Sequence, residues 1–277
     1  MKRSINAWSL ENSLDFEQSF RAAADAGFEG IELNIDAPER SAHSLSMFTT
    51  QKDYDLIGNL IQKYSLPVVS ISTSLSAGMS GIPEKHEQYR ALLRKQIEAA
   101  KALGAGGILT APGGMGNGIT LDGARKATIA FFNDMKQEIE DSGIFVGLEN
   151  VWNGFFLSPY DMVSMFEEIG SPSIGAYFDA GNMIAFSTSE YWAEVLGKWI
   201  GYVHVKDFLR NNGRINCGGT WVDITHGSAD WHAIIPALRK AGFDGYLTGE
   251  VFKPEGEISY EDYYKKVSME IGQIITY

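Results

Sequence analysis

Four residues of this 277-residue chain could do chemistry together: Glu149, Asp179, His204 and Glu250. Glu149 follows the apolar run Ile144-Phe145-Val146-Gly147-Leu148. Asp179 lies in Tyr177-Phe178-Asp179-Ala180-Gly181-Asn182, His204 in Tyr202-Val203-His204-Val205-Lys206-Asp207, and Glu250 in Thr248-Gly249-Glu250-Val251. Ionised carboxylates are almost never left unpaired where a strand leaves an apolar core. Converging carboxylates repel one another and raise their own pKa values, a problem that a cation removes. Three carboxylate oxygens and one imidazole nitrogen favour a single divalent ion, Mn²⁺ first and Mg²⁺ or Co²⁺ next, over the partners of thiolate-rich sites.

The elements that must position these groups read as a repeated unit: apolar strand, polar loop, amphipathic helix. Candidate strands are 4–8, 30–35, 67–73, 106–111, 145–151, 174–181, 200–207 and 245–251. Helix-like spacing separates them, as in Met162, Val163, Phe166 and Ile169, entered by Ser158-Pro159 and closed by Gly170. Ala26-Gly27-Phe28-Glu29-Gly30 is echoed by Ala241-Gly242-Phe243-Asp244-Gly245, each reading as a glycine that ends a helix ahead of a short loop. Eight such units, with no linker or composition shift, predict an α/β protein with a single (β/α)8 barrel domain over 1–277. The glycine-rich run 113–118 lacks the dinucleotide-binding spacing and reads as a loop at the barrel mouth. If the four residues point inward, alternation also puts Gly147, Gly175, Tyr177, Tyr202, Tyr246 and Thr248 inside the barrel.

Composition narrows the partners. A formal net charge of −12 opposes nucleic acid and anionic membrane surfaces. The single cysteine, Cys217, cannot form an intramolecular disulfide and fits a reducing compartment. The first residues, Met1-Lys2-Arg3-Ser4, are followed too soon by Glu11, Asp15 and Glu17 to read as a signal peptide, so a cytoplasmic protein is expected. No patch announces an interface, although homo-oligomers are common among such barrels.

Several stretches resemble the sugar phosphate isomerase/epimerase family with the xylose-isomerase-like barrel, to which ketose 3-epimerases and hydroxypyruvate isomerases belong. They are 147–153, Leu157-Ser158-Pro159, Ile169-Gly170-Ser171-Pro172, Tyr177 to Asn182, Val203 to Phe208 and Gly245 to Val251. The resemblance implies that Glu149, Asp179, His204 and Glu250 bind one divalent metal, and that Glu149 and Glu250 also carry the proton. A metal beside a ketose carbonyl and hydroxyl acidifies the intervening C–H and stabilises an enediolate, while the two carboxylates act on opposite faces. The substrate would be a sugar or sugar phosphate. Ketose 3-epimerisation is favoured, with aldose–ketose isomerisation as the alternative; an endonuclease IV-like phosphodiesterase or an inactive sugar-binding barrel is the rival of another class.

Three positions test the substrate contacts. Free-sugar 3-epimerases of the family usually have a histidine where Asn182 stands and often a glutamate where Phe155 stands, whereas Arg210 matches their arginine. Arg210 and Lys206 read as a grip for phosphate or carboxylate. Asp207, in the opposite phase, reads as loop support. Glu32 is in phase to reach the mouth, and Trp8, Trp152 and Trp221 are suited to wall a sugar pocket. His226 is expected to be a loop residue, and His43, His86 and His232 receive no role.

Overall fold

The computed structural model describes residues 1–256 and 258–277. Eight parallel strands close into a barrel: β1 (Lys2–Asn6), β2 (Gly30–Ile35), β3 (Val68–Thr73), β4 (Gly107–Thr110), β5 (Phe145–Glu149), β6 (Ile174–Asp179), β7 (Ile200–Val205) and, after a hairpin, β10 (Tyr246–Gly249). β1 pairs with both β2 and β10, which removes the sheet edges. The hairpin consists of β8 (Asp207–Arg210) and β9 (Gly219–Val222), paired antiparallel with Phe208 opposite Trp221.

The helices around the barrel are α1 (Phe16–Asp25), α2 (Gln51–Tyr64), α3 (His86–Leu103), α4 (Leu121–Ser142), α5 (Pro159–Ile169), α6 (Ala180–Ile184), α7 (Ser189–Leu196), α8 (Trp231–Lys240) and α9 (Tyr260–Ile275). Their starts have local causes. Asp15 and Gln18 form a reciprocal capping box on α1, and Ser158 and Asp161 do the same on α5, where proline opens the helix and Gly170 closes it in the left-handed region. The paired Ala-Gly-Phe segments behave alike: Gly27 has φ 83 and Gly242 φ 86, just past α1 and α8. None of the helices among the described residues is long and apolar enough to cross a membrane.

Every expected barrel strand forms, but several ends differ from the sequence reading. β1 stops at Asn6 because its side chain accepts from Trp8 N–H and starts a tight turn. β6 stops at Asp179 because that carboxylate caps α6 through Asn182 N–H. The expected seventh strand, 200–207, is cut at Val205, and Asp207 begins the hairpin.

Asp207 is the anchor of that region. Its buried carboxylate accepts from the backbone N–H groups of Phe208 at 2.8 Å, Ala229 at 3.0 Å and Gly227 at 3.1 Å, and from the Trp231 indole at 3.3 Å. Gly227 is required for this approach, since a Cβ there would stand 2.0 Å from Asp207 Oδ1. Sequence phase assigned Asp207 to loop support, and the structure does the same. Asp207→Ala strands several buried donors, so denaturant unfolding should show a loss of about 2–4 kcal/mol. A change within about 0.5 kcal/mol, ordinary for a surface substitution, would contradict this anchoring role.

Candidate metal centre

The ends of β5, β6, β7 and β10 bring Glu149, Asp179, His204 and Glu250 together. Strand register accounts for it: Asp179 lies beside His204 across the β6–β7 pair, Thr248 lies beside His204 across β10–β7, and Glu250 N–H donates to Val205 O. One ligand atom from each of the four lies within 4.8 Å of every other. His204 Nδ1 is 3.7 Å from Glu149 Oε1, 3.7 Å from Glu250 Oε2 and 4.0 Å from Asp179 Oδ2.

One buried atom in particular shows that this donor set fits a metal ion. His204 Nδ1 is buried without a hydrogen-bond partner, a costly arrangement for a polar atom that faces three carboxylates. A metal–ligand bond of about 2.0–2.2 Å would satisfy it after a small contraction of the cluster. Burial pushes the Glu149 carboxyl up to about 7, with Glu250 and Asp179 adding to the rise against the opposing influence of His204.

Beneath the cluster, Glu32 holds the imidazole. Its carboxylate is fully buried, 3.0 Å from His204 Nε2, and also accepts from Asn6 Nδ2 at 2.7 Å, Ser70 Oγ at 2.9 Å and the Tyr177 hydroxyl. Burial raises the Glu32 pKa, but His204, Tyr177 and Ser72 outweigh it and hold the group below its ordinary value. Burial likewise lowers the His204 pKa, and Glu32 and Glu149 reverse it to well above ordinary. A carboxylate on Nε2 leaves Nδ1 as the nitrogen free for an ion, the usual division of labour in a histidine metal site. Glu32 thus lies under His204, away from the mouth that its phase would have let it reach. The signal was available: Glu32 is the third residue of its strand, whereas Glu149 and Asp179 end theirs.

Asn182 joins the site: its side-chain amide donates to Glu149 Oε1 at 3.3 Å and its N–H to Asp179 Oδ1 at 2.8 Å. Asn150, which sequence reasoning left without a role, pins the end of β6 by bonding both Asp179 N–H and Asp179 O at 2.8 Å. Trp152 donates to Asn182 O and stacks on Trp221 with ring centroids 5.1 Å apart. A cleft of about 490 Å³ opens onto Glu250 and Lys206, walled by Trp221, His226, Phe252 and Tyr263. Trp8 donates instead to Asp36, and Phe155 is buried against Phe156.

Arg210 and Lys206, expected to grip a phosphate or carboxylate, bond groups of the protein in this structure. Arg210 spends Nε on Ile184 O at 2.5 Å and Nη2 on Ser187 O at 2.6 Å, tying down the segment after α6. Lys206 turns its ammonium onto Asp179 Oδ2 at 2.8 Å and Glu250 Oε2 at 2.5 Å. Both cations are engaged within the protein.

The layer under the ligands has a measurable consequence. Glu32→Gln keeps the shape but removes the charge behind Nε2, and divalent-ion affinity measured by calorimetry should weaken about 10–100-fold. Unchanged affinity would show that Glu32 serves only the barrel interior.

Comparison with known proteins agrees with the fold. The model of the xylose isomerase-like TIM barrel matches residues 20–267. An inosose isomerase of Bacillus velezensis is 24% identical over 287 residues, covering 98% of this chain and 92% of the relative. Two solved structures superpose over nearly the whole chain. The IOLI protein with a bound zinc atom gives a TM-score of 0.82 at 15% identity, covering 100% of this chain and 98% of its own. D-psicose 3-epimerase with D-tagatose, from Clostridium cellulolyticum H10, gives 0.79 at 14% identity, covering 99% of each. With its closed eight-stranded barrel and a family match over most of its length, the chain belongs to the xylose isomerase-like TIM barrel family.

Proposed function

We propose that this protein is a divalent-metal-dependent sugar isomerase or epimerase in which Glu149 and Glu250 transfer the proton. The observation that carries the reading is their placement: both carboxylates stand 3.7 Å from the same unpartnered nitrogen, His204 Nδ1, with Asp179 beside them. Glu149, Asp179, His204 and Glu250 would hold the ion. Mn²⁺ is the first choice for this oxygen-rich set, ahead of Mg²⁺ and Co²⁺. When bound, the ion supplies Lewis acidity, which lowers the pKa of a C–H beside a carbonyl and offsets the negative charge that develops on oxygen.

The chain's own groups do the rest. One glutamate, as carboxylate, takes the proton from the carbon next to the carbonyl; the C–H electron pair becomes the C=C of an enediolate, and the carbonyl electrons move onto oxygen. The other glutamate, as carboxylic acid, returns a proton from the opposite face, so the stereocentre inverts and the two carboxyl groups exchange protonation states. Asn182 orients Glu149 through its amide. Ketose 3-epimerisation is favoured. Aldose–ketose isomerisation uses the same groups with the proton delivered to the neighbouring carbon, and the position of the substrate decides between them.

Because Arg210 is committed to the carbonyls of Ile184 and Ser187, an unphosphorylated sugar is the better fit. The inosose, D-tagatose and D-psicose in the names of the similar proteins are uncharged polyhydroxy ketones of this kind. An endonuclease IV-like centre needs more ligating histidines. Here His43 bonds Leu14 O and Ala7 O, His86 bonds Ser80 O, and His232 stacks on Tyr277. A cytoplasmic setting accords with the lone exposed Cys217.

Glu149→Gln and Glu250→Gln should each lower kcat on a responsive ketose by about 10²–10⁴-fold and remove solvent deuterium incorporation at the reacting carbon. Retained exchange in both variants would take the glutamates out of the proton path. Chelation of divalent ions should abolish wild-type turnover, with Mn²⁺ restoring it.

A further inference from the structure

β7 and the residue that follows it aim two side chains at the cluster, His204 and Lys206. The Lys206 ammonium touches the same oxygens that face His204 Nδ1: Asp179 Oδ2 at 2.8 Å and Glu250 Oε2 at 2.5 Å. Its side chain is only 14% exposed. The backbone is shaped to admit it, because a Cβ on Gly181 would stand 2.2 Å from Lys206 Cγ and 2.6 Å from Lys206 O. The Trp221 ring lies 5.3 Å from Nζ on the cleft side. A solvated lysine requires neither a slot nor a lid.

Charge shows what the arrangement achieves. In the loaded site His204 gives Nδ1 to the ion and is neutral, so Glu32 beneath it keeps its full negative charge. With Asp179 and whichever of Glu149 and Glu250 is the carboxylate, that makes three negative charges, and a divalent ion alone leaves one in a buried site. An enediolate forming there would add another, at a cost that rises as the local dielectric falls. The Lys206 ammonium brings the loaded site to neutrality before the substrate's charge develops.

We propose that Lys206 is a further catalytic residue. Its ammonium shares the ligand oxygens of Asp179 and Glu250 with the metal ion, which holds metal affinity down, and it donates to the substrate oxygen that gains charge in the cleft bordered by Lys206 and Glu250. The second part rests on the proton-transfer reading above; the first does not. A purely structural lysine would have the opposite signature, since its loss would loosen the cluster and weaken metal binding.

The test pairs Lys206→Met, which keeps most of the stem without the charge, with Lys206→Arg. Calorimetry with Mn²⁺ alone should show about tenfold tighter binding in the Met variant, the size expected from removing one neighbouring positive charge. Its kcat on the best ketose should fall about 10²–10³-fold, with KM moving far less, and the Arg variant should return metal affinity toward wild type with part of kcat. Weaker or unchanged Mn²⁺ affinity in the Met variant overturns the shared-oxygen claim, and unchanged kcat overturns the catalytic claim. A wild type that binds Mn²⁺ but exchanges no proton with any sugar overturns the proton-transfer reading together with the catalytic claim. The Mn²⁺ affinities still decide the shared-oxygen claim in that case.

Discussion

Three carboxylates meet at one end of this barrel, and the surrounding structure is arranged around the repulsion that this creates. Glu149, Asp179 and Glu250 come from separate strands and lie within reach of one imidazole nitrogen. Carboxylates so close and so buried cannot all stay ionised without positive charge nearby. The fold answers with a histidine whose free nitrogen faces them, a lysine bridging two of them, and a donor set that fits a divalent ion.

The barrel interior makes this arrangement rigid. Its lower layer is polar: Asn6, Glu32, Ser70 and Tyr177 are buried and joined by hydrogen bonds. Tyr177 stacks on Tyr202 with ring centroids 5.2 Å apart, and Gly107 makes room, since a Cβ there would stand 2.3 Å from the Tyr202 ring. Such a network sets the imidazole plane more firmly than apolar packing would, because rotating the ring would break the bond to Glu32. Asn150 and the Asp179 cap on α6 fix the backbone from the side, and Asp207 fixes the loop that carries His226. Apart from Asp179, the groups that supply this precision are not among the four proposed to hold the ion.

Much of this was legible in the sequence because it depends on short periods. Alternation in the strands and glycines after the helices located all eight barrel strands, and strand ends pointed to the four clustered residues. The losses have a common physical cause. Phase tells which face a side chain takes but not how deep it lies, so Glu32 was placed at the mouth instead of under His204. Nothing local in the sequence announces that Arg210 will bond carbonyls 23 and 26 residues away, or that Lys206 will fold back onto Asp179 and Glu250. The hairpin was missed because an unbroken seventh strand through Asp207 fitted the pattern of the other units.

The central claim is that one divalent ion sits among four named side chains, and anomalous diffraction from crystals soaked in Mn²⁺ tests it most directly. The account predicts a single strong peak, with His204 Nδ1 and oxygens of Glu149, Asp179 and Glu250 about 2.0–2.3 Å away, and Glu32 still on Nε2. A peak bound through Nε2, an ion held elsewhere, or saturating Mn²⁺ with nothing between these four residues would contradict it.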